Sequence, residues 1–264
     1  MAGSDGSLMS VSNETFTLSQ PGPNAARQEA PHPHEVIVDP TGQYILAPDL
    51  GADLVRVFGY DNYALTLTEY ESLKAAPGSG PRHAVFYNST ASTTEGIYLF
   101  VVAELANTIT SYAVTYSADN KGLSFSKVYT TNTFGGKTIP AGAAAAEIEI
   151  SPDFKFLTVS NRNDSSFQIE NYNPRNQTLE PSDSLATYKL RSNGKLSFVQ
   201  LAPAGGLYPR NFALNKAGDR VAVPLQRSER VVVLERDVAS GRIGQAVADF
   251  PIEGELTTVV WDEQ

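Results

Sequence analysis

The chain holds three histidines, His32, His34 and His83, and no cysteine in its 264 residues. Proton transfer near neutral pH therefore falls to an imidazole, or to a carboxylate whose pKa has been raised by burial. Thiol nucleophiles, disulfides and cysteine-ligated metals are excluded. His32-Pro33-His34 sets two imidazoles on one face of an extended segment, and His83 as a third ligand would complete a zinc site. No carboxylate-plus-histidine motif accompanies them, so neither metal nor cofactor is expected. A Gly-x-Ser-x-Gly elbow, a phosphate-cradling glycine loop and His-Glu-x-x-His are all missing from the sequence. Arg82 and Arg210 each follow a proline, as His34 does. They offer permanently charged donors to an oxyanion, a carboxylate or a phosphate. The plainer alternative makes them salt bridges between neighbouring structural units, to Glu35, Glu147 or Asp49.

These residues must be positioned by strands, because helical periodicity is almost absent. Short β-rich runs such as Glu35-Val-Ile-Val-Asp39, Tyr44-Ile-Leu-Ala47 and Leu54-Val-Arg-Val-Phe58 alternate with Gly, Asn, Asp and Pro turns. The runs repeat. PHEVIVDPTGQYILAPDLGADLVRVFGYD from Pro33 returns from Pro81 as PRHAVFYN…GIYLFVVAELANTITSYAVTY. Further copies are AAEIEISPDFKFLTVSNRNDSSFQIENY from Ala145 and PRNFALNKAGDRVAVPLQRSERVVVLERD from Pro209. Each copy reads as three strands joined by tight turns, then a weaker fourth. Thr41-Gly42 and Ala217-Gly218 supply positive φ at the first turn. The longer second and third intervals are assigned to loop insertions, such as 173–184. A four-stranded unit of this length is the mark of a β-propeller blade, whereas a β-sandwich predicts no such repeat.

The fold class read here is all-β: a propeller of about four complete blades, with partial strands at both ends. The blades fall at 31–75, 80–131, 144–201 and 208–250. Residues 1–20 read as the outer strand of a preceding blade and 254–264 as the inner strand of a following one. First strands of blades line the central channel, so His34, Arg82, Ala146 and Arg210 meet at one height around it. Second strands run antiparallel and end at the same rim, bringing Asp49, Glu104, Asn161 and Arg162 there. Glu104 follows an apolar strand in FVVAELAN. An unpaired carboxylate is costly in such a place, so it pairs with an arginine or does chemistry.

The runs APHPHEVIVDPTGQYILAPDLGADLVRVF, GSGPRHAVF, EISPDFKFLTVSNRN and YPRNFALNKAGDRVAVPLQ, in this order, resemble the seven-bladed lactonase family. That family includes 6-phosphogluconolactonases, fungal carboxy-cis,cis-muconate cyclases and secreted fungal aldonolactonases; PGPN…RQEAPHPHE and the ending VVWDEQ look most like the fungal branch. The resemblance implies hydrolysis of a sugar-acid lactone by a base-activated water, with arginines stabilising the oxyanion. It puts the functional histidine on His34, the arginines on Arg82 and Arg210, and the glutamate on Glu104, with His34 or Glu104 as base. His83, Asp49, Glu147 and Arg162 are expected to contact the small-molecule lactone. A muconate-lactonising cyclase, or a non-catalytic propeller serving as an interaction scaffold, is the alternative. A seven-bladed ring of this repeat length needs about 330–380 residues. The expectation is therefore an N-terminally truncated ring, weak in turnover and self-associating through open blade edges.

A hydrophobic fraction of 41% with 19% charged residues is that of a folded domain, and the net charge of −9 argues against nucleic-acid or anionic-membrane partners. No apolar run is long enough to cross a bilayer, and residues 1–12 do not read as a signal peptide. Sequons at Asn13, Asn88, Asn163 and Asn176 hint at a secreted parent; without a leader the location would be cytoplasmic.

Overall fold

The computed structural model describes residues 6–7, 10, 12–61, 63–90, 92–118 and 122–263. These residues form strands and turns, with no helix among them. The first four-stranded sheet comprises β1 (Ile37–Val38), β2 (Tyr44–Asp49), β3 (Leu54–Asp61) and β4 (Thr66–Lys74). The second comprises β5 (Pro81–Asn88), β6 (Ile97–Ala103), β7 (Thr108–Tyr116) and β8 (Leu123–Asn132). The third runs β9 (Ala144–Ile150), β10 (Phe156–Arg162), β13 (Ser184–Leu190) and β14 (Leu196–Pro203), with a two-stranded hairpin, β11 (Phe167–Glu170) and β12 (Leu179–Ser182), inserted. The fourth comprises β15 (Ala213–Leu214), β16 (Arg220–Leu225), β17 (Arg230–Arg236) and β18 (Ile243–Pro251). Every pairing is antiparallel.

The second strand of each sheet is buried on both faces, because sheets stack face to face. On β6, Leu99 and Val101 enter a cluster with Leu46, Val55 and Val57 of the first sheet. The alternate residues, Phe100 and Val102, enter a second cluster with Leu157, Val159 and Tyr188 of the third. Leu185 and Ala202 join Phe212, Val221 and Val232 in a third cluster, against the fourth sheet. Burying each large apolar side chain contributes about 1.5–3 kcal/mol, and the period-2 alternation of β6 uses both faces.

The first turn of three of the four blades closes by the same i→i+3 hydrogen bond. Gly42 donates to Asp39, Phe154 to Ser151 and Gly218 to Asn215. All three donors have positive φ, at 73°, 56° and 71°. Glycine accepts that conformation freely; phenylalanine does not.

One expectation is corrected. Phe167–Glu170, read as the third strand of its blade, pairs instead with Leu179–Ser182 in the inserted hairpin, and the third strand is β13. The reason is Asp183, whose buried carboxylate accepts the amides of Asn163, Asp164, Ser165 and Tyr208. It pinches the insertion shut, so the blade resumes at Ser184. The terminal segments read as strands of neighbouring blades lie partly outside the described residues, and 12–18 and 254–263 form no ladder with the described strands of this chain. Phe16 instead stacks under the Arg56 guanidinium, 3.6 Å from ring centre. The later segment is tied to the fourth sheet by Val259 N–H to Asn211 and Trp261 Nε1–H to the carbonyl of Ala213.

Candidate active site

The innermost strands share one irregularity. Pro33 faces Asp49, yet four residues later Ile37 faces Leu46, a slip of one residue. Pro81 faces Ala103 but His83 faces Val102. Ala145 faces Asn161 but Ile148 faces Val159. Pro209 faces Leu225 but Ala213 faces Ala222. One extra residue per inner strand is a β-bulge, a device that re-aims side chains. The register makes His34, Arg82, Ala146 and Arg210 equivalent, as the sequence suggests. One residue on, Glu35, His83, Glu147 and Asn211 form a second rung.

On the first rung the chemistry gathers around Glu104, which is 1% exposed. Its Oε2 lies 2.7 Å from Arg162 Nη2 and 2.9 Å from Arg82 Nε, and its Oε1 accepts from Arg27 Nη2. Burial alone would raise this carboxyl, but Arg162, Arg27 and Arg82 outweigh it and hold the pKa at about 2. The Arg82 N–H at Nε misses the carboxylate, so that contact is an ion pair without a hydrogen bond, and Arg82 Nη1 and Arg162 Nε are buried without acceptors. Burial, then the charge of Arg162, lowers Arg82 to about 10, which leaves it cationic at neutral pH. Arg210 forms no ion pair among the described residues, yet its charge is felt by both His34 and Arg82. Burial and the neighbouring Arg82 depress His34 to about 4, so its imidazole is neutral at pH 7.

The second rung is a hydrogen-bonded belt. His83 Nδ1 lies 2.7 Å from Glu147 Oε1 and 3.9 Å from Glu35 Oε1. Asn211 Nδ2 donates to Glu147 Oε2 at 2.7 Å, and Asn211 Oδ1 accepts from Val259. Glu35 Oε2 accepts the amide of Ala84, and burial raises its carboxyl. Burial would raise Glu147 as well, but the bond to His83 and the contacts of Asn211 and the Ile148 amide lower it. Donor atoms of Glu35, His83 and Glu147 lie within 4.8 Å of one another, near enough to share a cation. Hydrogen bonds within the belt already engage Nδ1 and both Glu147 oxygens. The imidazoles of His34 and His83 are 6.5 Å apart, so the two rungs adjoin.

The structure brings together His34, Arg82, Glu104, Arg162 and Arg210, and joins His83 to Glu147. It separates Asp49 from any substrate role. Asp49 is fully buried; one oxygen accepts the amides of His32 and Ala52, and the other pairs with Arg56. Because Asp49 is equivalent to Ala103, the position matching Glu104 in the first blade is Leu50. Asn161 is likewise committed, to the Thr133 carbonyl and the Ser184 hydroxyl. His32 lies outside the site, paired with Glu29. Arg27, Asn211 and Tyr208 escape the sequence reading. Arg27 belongs to the arm 21–32, clamped by buried Gln28 donating to the Leu50 carbonyl. Tyr208 has the Arg227 guanidinium 4.0 Å and that of Arg162 5.3 Å from its ring centre. Two clefts lie elsewhere: about 720 Å³ lined by Lys74, Ser79, Val101 and Leu123, and about 500 Å³ lined by Tyr172, Gly205 and Leu234. Neither is lined by an ionisable residue of the two rungs.

The family model described as lactonase, 7-bladed beta-propeller, matches residues 2–261. The "Probable 6-phosphogluconolactonase" of Arthroderma benhamiae is 31% identical over 261 residues, which cover 97% of this chain and 60% of that protein. The 6-phosphogluconolactonase of Formosa agariphila is 29% identical, over 92% of this chain and 61% of its own length. The solved periplasmic gluconolactonase of Pseudomonas aeruginosa superposes with a TM-score of 0.74 at 29% identity, over 96% of this chain and 62% of that one. The chain thus spans about three-fifths of the length of these relatives.

Proposed function

Because the chain belongs to the lactonase family of seven-bladed β-propellers, we propose that it hydrolyses a sugar-acid lactone of the aldono or glucono type at the mouth formed by the two rungs. The observation that carries this reading is the excess of guanidinium around one carboxylate. Arg27, Arg82 and Arg162 share Glu104, Arg210 has no partner among the described residues, and two imidazoles adjoin them. Fixed donors in a buried setting stabilise charge that develops during reaction far better than water does. The names of the relatives, two 6-phosphogluconolactonases and a gluconolactonase, support a lactone as the substrate class.

In this reading, water attacks the lactone carbonyl and Arg82 and Arg210 receive the oxyanion. The tetrahedral intermediate then collapses by breaking the ring C–O bond. The water proton passes through a base to the leaving ring oxygen, and the product is the open hydroxy acid. Glu104 is unsuited to be that base: with its pKa near 2 it binds a proton poorly at neutral pH. It is a positioning residue that sets Arg82 and Arg162 in place. His34, neutral at pH 7, can accept or donate a hydrogen bond to the sugar acid.

The test is proton release from δ-gluconolactone and its 6-phosphate at constant pH, corrected for spontaneous opening. Turnover that falls about 10²–10³-fold in Arg82→Ala supports the reading. A rate equal to the spontaneous one on both lactones removes it.

A further inference from the structure

The second rung offers what the first lacks, an imidazole held by a carboxylate. Resting on the lactonase reading above, we infer that His83 is the proton-transfer base, and that Glu147 and Asn211 are the residues positioning it. Three observations carry this. Glu147 Oε1, from the next blade, lies 2.7 Å from His83 Nδ1. That contact fixes the tautomer with the proton on Nδ1 and leaves Nε2 as a lone-pair acceptor. His83 Nε2 makes no hydrogen bond among the described residues, and the side chain is 14% exposed, so water reaches it. Asn211, from the blade after, holds the second oxygen of Glu147 at 2.7 Å and is itself held by the Val259 amide. Glu147 therefore cannot swing away from the ring.

The comparison with His34 decides between the two imidazoles. His34 has no hydrogen-bonded carboxylate among the described residues, and burial, Arg82, His83 and Arg210 oppose its protonation more than the nearby Glu104 favours it. An imidazolium forming at His34 would be repelled, whereas one forming at His83 lies between Glu147 and Glu35. A carboxylate behind the ring stabilises the cation that exists while the proton is held. The step balances. Nε2 takes one proton from the attacking water as its oxygen bonds to the acyl carbon, then returns it to the ring oxygen as the C–O bond breaks.

The experiment uses the full chain and δ-gluconolactone, with rates referred to the unaltered protein. His83→Gln keeps an amide for Glu147 but cannot carry the proton, and its kcat is expected to fall about 10²–10⁴-fold with KM little changed. His83→Ala should recover part of its rate in added imidazole. Glu147→Gln should lose about 10-fold or more in kcat, and Glu147→Asp should restore part of it. Asn211→Ala should lose less than Glu147→Gln, again in kcat. His83→Gln retaining more than a tenth of the parent rate, or chelation by EDTA abolishing the parent rate, would overturn the assignment while leaving the lactonase reading intact. No hydrolysis by the unaltered chain defeats both.

Discussion

Arg82 and Glu104, from adjacent strands of one blade, face each other at 2.9 Å with both side chains 2% exposed. Arg162, from the next blade, reaches the same oxygen at 2.7 Å. The contact between blades is thus ionic at the channel rim and apolar outside it. A buried charge whose partner is removed costs about 3–5 kcal/mol. Glu104→Gln leaves Arg82 and Arg162 uncompensated, so urea unfolding should show a loss of that size. A midpoint within experimental error of the parent would show that the arginines reach water after all.

His34 makes stability depend on pH. In the unfolded chain an imidazole titrates near 6.5, whereas in the fold burial and Arg82 hold it at about 4. Between those values the unfolded state takes a proton that the folded state refuses, so His34 costs stability progressively as pH falls from about 6.5 to about 4. Glu104 adds no pH dependence in the upper part of that window, because its stabilising effect is lost only as pH falls from 4.5 through about 2. Glu35 and Glu149, raised by burial, act in the opposite sense. The measurement is therefore a difference: melting temperature against pH for the parent and for His34→Gln. The gap between them should narrow by a few degrees or reverse from pH 7 to pH 4.5, and parallel curves would refute the shift.

Phe154 occupies the turn position that Gly42 and Gly218 hold in other blades, at φ 56° and 58% exposed. A side chain there costs about 1–2 kcal/mol, against about 0.5–1 kcal/mol of extra chain entropy lost by glycine. Phe154→Gly should raise stability by about 0.5–1 kcal/mol, a gain of about 1–4 °C in melting temperature. A lower melting temperature would mean that Phe154 packs more than its exposure suggests.

The blade repeat was legible because each inner strand begins at the same register, so His34, Arg82 and Arg210 could be placed on one rung from spacing alone. The second rung follows from the same rotation moved by one residue. His83 and Glu147 are legible singly but not as a rung, because regular alternation would send neighbours such as Arg82 and His83 to opposite faces, and the bulge that defeats alternation leaves no mark in residue types. Asp49 resembles a rim carboxylate only by its charge, since the ladder makes Leu50 the counterpart of Glu104 in the first blade. Arg27 lies outside every repeat, so no equivalence could find it. The inserted hairpin was misread because Phe167-Gln-Ile-Glu170 alternates like a strand, and the pinch by Asp183 is a tertiary contact.

Arg210 separates binding from folding in this site. It shares a rung with Arg82, yet it forms no ion pair among the described residues and is half-buried. Its charge is therefore unspent in the fold, and removing it leaves no carboxylate stranded. Arg210→Ala should change stability by no more than about 0.5 kcal/mol. If the side chain receives the oxyanion, kcat/KM for δ-gluconolactone should fall about 10²-fold or more, carried by kcat. If it holds an anionic group remote from the reacting carbon, the loss should instead appear as a raised KM, larger for the 6-phosphate than for the unphosphorylated lactone. Arg210→Lys distinguishes the two further, since a point charge serves a phosphate better than it replaces a guanidinium fork at an oxyanion. A large drop in stability with unchanged kinetics would place Arg210 in the scaffold and out of the site.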